Sequence, residues 1–128
     1  MTAEKKKILL VDDDPDFVGA IRSMLEVNDF EVAVAYDGRE GLEKAGQFNP
    51  DLIILDMMMP VMGGREACKK LKTDPTTNKI PVILLTAISD HVTTTTYTHR
   101  DVLESFAEEY ISKPVQKEVL LNAIKSLL

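Results

Sequence analysis

The sequence has little cysteine, no long apolar run and no excess of positive charge. Cys68 is the single cysteine among 128 residues, so no disulfide can form within the chain, and a reducing compartment is the simple interpretation. The first apolar run, residues 8–11, has only four residues, which is too short for a signal-peptide core or a membrane span. We therefore expect a cytoplasmic protein that makes no contact with membranes.

The charge balance is acidic. The chain has 21 Asp and Glu residues against 15 Lys and Arg residues, for a net charge of −6. A surface that binds nucleic acid needs a basic field, so we expect no direct contact with nucleic acid. The length of 128 residues and the 45% hydrophobic content fit one domain over residues 1–128, with a single core.

The most informative stretch runs from Leu52 to Gly64 and reads LIILDMMMPVMGG. Four apolar residues lead directly to Asp56, which is typical of a strand buried on both faces. The carboxylate then lies at the carboxyl end of the strand, where parallel sheets bind ligands. Pro60 prevents the strand from continuing. We interpret Gly63 and Gly64 as residues that allow unusual backbone angles in the loop.

Short apolar strands alternate with amphipathic helices, which predicts a parallel sheet with right-handed crossovers and helices on both faces. The predicted strands are residues 7–12, 31–35, 52–55, 81–86 and 110–112. The predicted helices cover approximately residues 15–27, 38–47, 64–73 and 116–128. The sequence gives no clear secondary structure for residues 88–109. The residues expected to face inward on the first and last helices are Phe17, Ala20, Ile21, Met24 and Leu25, and Val119, Leu120, Ala123, Ile124 and Leu127.

Polar residues follow or end four of the predicted strands: Asp12 and Asp13, Asp56, Thr86 and Lys113. Any one of them alone would indicate only a turn or a helix cap, as we expect of Asp14 before Pro15. Parallel strands, however, present their carboxyl ends at the same edge of the sheet. Three carboxylates brought together there would repel one another unless a cation joined them. A hard divalent ion such as Mg²⁺ prefers such oxygen ligands, and the lysine would supply a further positive charge.

The chain resembles the receiver domain of two-component response regulators. The matching motifs occur in the order of that family and cover nearly the whole chain: VDDDP at 11–15, DMMMPVMGG at 56–64, PVILLTA at 81–87 and YISKP at 110–114. The resemblance implies an α/β, flavodoxin-like, doubly wound fold. Its five-stranded parallel sheet would have the order 2-1-3-4-5, for which this family is itself a known example.

The resemblance also implies a phosphorylation switch. Asp56 would be the phosphoacceptor, and it would bind Mg²⁺ together with Asp12, Asp13 and the backbone carbonyl of Met58. The phosphoryl donor would be a histidine kinase or a histidine phosphotransfer protein. The domain would assist its own phosphorylation and dephosphorylation without being an enzyme in the usual sense.

Three further residues have implied roles in the switch. Thr86 would hydrogen-bond the phosphoryl group, Lys113 would pair with it, and Tyr110 would be the aromatic residue that changes rotamer. The surface formed by the fourth helix, the fifth strand and the last helix would then change. We expect no DNA-binding segment after Leu128, and therefore expect the unidentified downstream target to be a protein.

The chain departs from the family pattern in two places. The Thr-rich segment 88–109 is longer than usual, which predicts an irregular or extended fourth helix. Met58 and Ile88, which in the family flank the path of the attacking water, are both apolar and cannot orient water. Slow hydrolysis of the phosphoryl group is therefore our hypothesis.

Two other functions remain open at this point. A metal-dependent phosphatase with an Asp nucleophile usually has a second Asp two residues further on, where this chain has Met58, so the sequence disfavours it. A receiver-like module that binds proteins without phosphorylation would not need the chemical residues, all of which are present.

Overall fold

The computed structural model describes residues 4–87 and 107–128. In these residues five parallel strands form one sheet in the order β2-β1-β3-β4-β5, which confirms the predicted fold. In chain order the elements are β1 (Lys7–Val11), α1 (Pro15–Val27), β2 (Glu31–Ala35), α2 (Gly38–Phe48), β3 (Leu52–Asp56), α3 (Gly64–Thr73), β4 (Val82–Ala87), β5 (Glu109–Lys113) and α4 (Lys117–Leu127). Most of the Thr-rich segment lies outside the described residues. None of the described helices is long and apolar enough to cross a membrane.

The central strands are apolar because both of their faces are covered. Along β1, Ile8 and Leu10 belong to the core cluster on one face, whereas Leu9 and Val11 belong to the cluster on the other. The first cluster includes buried residues of α1 and α4, and the second includes buried residues of α2 and α3. Among the described helices, two therefore pack on each face of the sheet, and the polar groups that a strand carries lie at its ends.

The predicted inward faces of α1 and α4 were wrong at two positions. Ala20 is exposed and Val119 is 46% exposed, whereas Val18 and Leu121 are buried. An apolar stripe at helical spacing defines the helix but leaves its rotation about the axis open by about one residue, which is 100°. On α1 the larger Val18 gains more from burial than Ala20 would.

The start of α1 follows the sequence prediction. Asp14 caps the helix, and its Oδ1 accepts hydrogen bonds from the backbone N–H groups of Asp16 at 3.0 Å and Phe17 at 3.4 Å. Pro15 occupies the first helical position, where its missing N–H costs nothing. The helix therefore begins immediately after the acidic residues that follow β1.

The register of β5 is fixed at its amino end by Glu108. The backbone N–H of Glu108 donates to Val82 O at 3.0 Å, and its Oε1 accepts from the N–H of Val82 at 2.7 Å. Its Oε2 lies 2.9 Å from Nζ of Lys72, whose side chain is only 9% exposed. This register pairs Ala87 with Lys113, so the lysine lies at the carboxyl edge of the sheet.

The loop after β3 has a different backbone from the one expected of its two glycines. No described glycine has a positive φ, and Gly63 has φ −71°. Gly64 is required instead for close packing, because a Cβ there would clash with the carbonyl oxygen of Asp56. The left-handed residue of the loop is Val61, with φ 67°.

Val61→Gly should stabilise the protein. A β-branched residue in the left-handed region costs roughly 1–2 kcal/mol, and the side chain is 78% exposed, so little burial is lost. After the larger unfolded-state entropy of glycine is subtracted, the free energy of unfolding should rise by about 0.5–1 kcal/mol in urea denaturation. Val61→Ala keeps the backbone strain and is the control. An equal gain from alanine would show that the strain is not in the backbone.

Candidate functional site

The carboxyl edge of the sheet gathers the polar residues predicted there. Asp12 follows β1 and is fully buried, Asp56 ends β3 and is 6% exposed, and Thr86 lies in β4 and is 3% exposed. Lys113 ends β5, and its side chain is 27% exposed. Asp13 is exposed at the mouth of the site. The buried positions of Asp12 and Asp56 are unusual for ionisable groups, which are rarely buried unless they are paired.

Three carboxylates form an acid cluster. One carboxylate oxygen from each of Asp12, Asp13 and Asp56 lies within 4.8 Å of the others. In the part of the chain that the structure describes, this is the only group of three or more His, Cys, Asp or Glu side chains with such spacing. The donor set is all oxygen and carries three negative charges, which fits a hard divalent cation such as Mg²⁺.

Lys113 bridges two members of the acid cluster. Its Nζ donates to Asp12 Oδ2 at 3.0 Å and lies 3.3 Å from Asp56 Oδ1. The other oxygen of Asp12 accepts from the backbone N–H of Asp14 at 3.0 Å. Burial lowers the pKa of the lysine, but the hydrogen bond to Asp12 and the nearby negative charges outweigh it, and its pKa is raised. The ammonium is therefore held in its charged form between two carboxylates.

The contact with Lys113 does not fully neutralise the negative charge around Asp56. Burial raises its pKa, the charge of Asp12 raises it further, Lys113 lowers it, and Asp13 raises it again. The result is a shift of the pKa from 3.8 to about 6. The site therefore favours any cation that can approach the carboxylate, because one lysine does not offset burial and two neighbouring acids.

Of the three remaining predicted residues, the structure describes Tyr110 and Met58. Tyr110 is half-buried and packs against the core cluster that contains Leu84 and Met57. Met58 is 58% exposed in the loop directly after Asp56. Ile88 lies outside the described residues. The roles of these residues in switching and hydrolysis stay predictions.

Sequence reasoning missed one residue of the site. Nζ of Lys113 lies 4.5 Å from the centroid of the Phe17 ring on α1. In the sequence Phe17 appears only as one member of the apolar stripe of its helix. No spacing could have paired it with Lys113, because the contact depends on how α1 and β5 meet in three dimensions.

Asp56→Asn should stabilise the protein near neutral pH in buffer with EDTA. A folded-state pKa above the unfolded value means that wild-type stability falls as pH rises from about 4 to about 6. Asparagine removes this loss. The gain at pH 7 should be about 1–2 kcal/mol, which is smaller than a two-unit shift would give because solvent screens part of it.

Thermal or urea unfolding at pH 4 and pH 7 measures this gain, which should be small at pH 4. Glu4→Gln, an exposed position outside the helices and strands, is the control for loss of an exposed carboxylate and should not reproduce the gain. A destabilised Asp56→Asn at pH 7 would mean that the acid cluster is already neutralised in the native protein.

Comparison with known proteins gives a consistent result. The family model described as the response regulator receiver domain matches residues 8–125. Response regulator PleD of Caulobacter vibrioides is 39% identical over 124 residues, which cover 94% of this chain and 26% of PleD. The DNA-binding response regulator MtrA of Mycolicibacterium smegmatis is 34% identical over 131 residues, which cover all of this chain and 53% of MtrA. The chain thus spans about a quarter of one relative and about half of the other.

A solved structure extends the similarity to the fold. Chemotaxis response regulator CheY4 of Vibrio cholerae superposes with a TM-score of 0.83 and 30% sequence identity, covering 97% of this chain and 99% of CheY4. Three findings support the same family: the sheet order, the acid cluster at the carboxyl edge of the sheet, and the family match over residues 8–125. The chain belongs to the response regulator receiver domain family of two-component signalling.

Proposed function

We propose that Asp56 is the residue that accepts the phosphoryl group in this receiver domain. Phosphorylation with Mg²⁺ is the general function of the family, and receiver domains interact with histidine kinases. The observation that supports the assignment is the position of Asp56, which is buried at the end of the central strand β3, 3.3 Å from the Lys113 ammonium and close to the carboxylates of Asp12 and Asp13. The donor we propose is a phosphohistidine on a histidine kinase or on a histidine phosphotransfer protein.

The transfer needs little from the protein beyond position and charge. A carboxylate oxygen of Asp56 attacks the phosphorus, a P–O bond forms, and the P–N bond to the donor imidazole breaks with its electron pair staying on nitrogen, which then takes a proton. Lys113 lies 3.3 Å from the acceptor carboxylate, within reach of an incoming phosphoryl oxygen. Thr86, almost fully buried in the neighbouring strand, would donate its hydroxyl to the same group.

The residues that would hold Mg²⁺ are Asp12, Asp13 and Asp56, together with the backbone carbonyl of Met58. The close spacing of the three carboxylates supports the first three ligands. When bound, the ion would neutralise charge on the carboxylates and on the phosphoryl oxygens. Lys113 would then be free to pair with the phosphoryl group, since the carboxylates would have a second cation.

The switch would run from Thr86 to Tyr110. Phosphorylation adds about two negative charges at the edge of the sheet. Movement of the Thr86 hydroxyl toward them would vacate space beside β5, and the half-buried Tyr110 would rotate into it. The surface that changes would comprise β5, α4 and the segment 88–109, and a protein target would recognise it. MtrA is a DNA-binding protein, so the absence of direct nucleic-acid contact here remains an expectation.

Acetyl phosphate with Mg²⁺ should add one phosphoryl group to the intact chain, measured by mass spectrometry. Asp56→Asn should abolish this addition, because the amide cannot attack phosphorus. Asp16→Asn, an exposed position in the first turn of α1, is the matched control and should be phosphorylated normally. Uptake that persists in Asp56→Asn would refute the assignment of the acceptor, and steady turnover of small phosphate esters would indicate a phosphatase.

The apolar residues Met58 and Ile88 should make the phosphorylated state long-lived. Met58→Asn combined with Ile88→Glu supplies groups that can orient the attacking water. We expect hydrolysis to accelerate about tenfold, which corresponds to about 1.4 kcal/mol of barrier. The decay of the phosphorylated species, followed by mass after removal of the donor, measures the rate. An unchanged rate in the double variant would show that these side chains do not control access of water.

A further inference from the structure

The ammonium of Lys113 has a third neighbour besides its two carboxylates. Nζ lies 4.5 Å from the centroid of the Phe17 ring, inside the distance of about 6 Å at which a ring face attracts a cation. The same nitrogen is 3.0 Å from Asp12 and 3.3 Å from Asp56. One ammonium therefore contacts residues that follow or belong to β1, β3 and α1.

The ring of Phe17 is held in place independently of the lysine. Its residue lies in the first turn of α1, where the backbone N–H donates to the capping carboxylate of Asp14. Its side chain packs against the core cluster that contains Val18 and Leu121. Lys113, by contrast, carries a long flexible side chain that is 27% exposed. The ring is thus held by the helix and the core, whereas the position of the ammonium depends on its contacts at the site.

The ammonium of Lys113 can neutralise charge at the proposed phosphoryl site only while its side chain is held near Asp56. A free lysine side chain loses much of its rotamer entropy when it is fixed. Asp12 and Asp56 restrain it, but they are also proposed metal ligands, so their oxygens serve two cations. The ring face of Phe17 serves only the ammonium.

We propose that Phe17 is a positioning residue that holds the Lys113 ammonium at the phosphoryl site through a cation–π contact. The inference rests on the proposed function of Asp56 and Lys113. An ordinary core residue would only need to fill the apolar volume, whereas this role needs an aromatic ring. The property that matters is the electron-rich face of the ring, beyond the apolar volume that the ring fills.

Replacing Phe17 by cyclohexylalanine tests this requirement, because the substitution keeps the volume and removes the ring face. Phosphorylation by acetyl phosphate should slow about three- to tenfold, the range expected for loss of a cation–π contact. Phe17→Leu should behave similarly, and Phe17→Tyr should retain most of the wild-type rate. Phe30→Leu removes another partly buried aromatic from the same core cluster, beyond the far end of α1, and should leave the rate unchanged.

Two measurements without turnover separate positioning from general damage. In the metal-free protein, the NMR order parameter of the Lys113 ammonium should fall in the cyclohexylalanine variant. The affinity for Mg²⁺ alone, measured by titration, should not fall, because the substitution leaves the three carboxylates in place. Weakened Mg²⁺ binding would overturn the proposal, since it would mean that the substitution disturbs the carboxylates themselves.

A double-mutant cycle completes the test. If Phe17 acts through the lysine, Phe17→Leu should have no further effect on the phosphorylation rate in a Lys113→Met background. Additive effects would overturn the proposal, as would a wild-type rate in the cyclohexylalanine variant. If Phe17→Leu fails to fold, the cyclohexylalanine variant decides alone. Failure of the proposed function itself is distinguished by persistent phosphorylation of Asp56→Asn, whereas failure of this inference leaves that control intact.

Discussion

The ion pairs of Lys113 with Asp12 and Asp56 are the interaction on which the site depends. Two of the three charges are buried, and an unpaired carboxylate in such a position would cost several kcal/mol or would bind a proton. The ammonium makes their coexistence possible without fully neutralising them, as the raised pKa of Asp56 shows. A site left with excess negative charge in this way favours the binding of a divalent cation.

The sheet makes this arrangement predictable from the sequence. Continuous apolar runs such as residues 8–11 and 82–85 identify strands covered on both faces, and parallel connection sends all their carboxyl ends to one edge. The placement of Asp12, Asp56 and Lys113 at one edge then follows from the parallel direction of the strands, whereas the strand order came from the resemblance to the receiver family. The capping role of Asp14 was equally accessible, because an Asp–Pro pair before an apolar stripe has a local physical meaning.

Other features depend on packing that no local pattern encodes. The contact of Phe17 with Lys113 joins α1 to the last strand, and only the docking of the helix on the sheet creates it. A left-handed backbone is not expected at a β-branched residue such as Val61. Hydrogen bonds of the loop, such as that from Met62 N–H to Pro60 O, hold the residue there against its intrinsic preference. The rotation of α4, which buries Leu121 rather than Val119, is likewise set by the neighbouring elements.

The loop after β3 is tightly packed near both of its ends and exposed to solvent between them. Gly64 touches the main chain of Asp56, and Gly38 of α2 touches that of Met62, so a side chain at either glycine would clash with the loop. Between these contacts Met58 and Val61 face the solvent. The exposed side chains of the loop can therefore be replaced without displacing the backbone that carries Asp56, whereas the two glycines cannot. The exposed surface of the loop and the geometry of the acid cluster can thus change separately, because they depend on different residues.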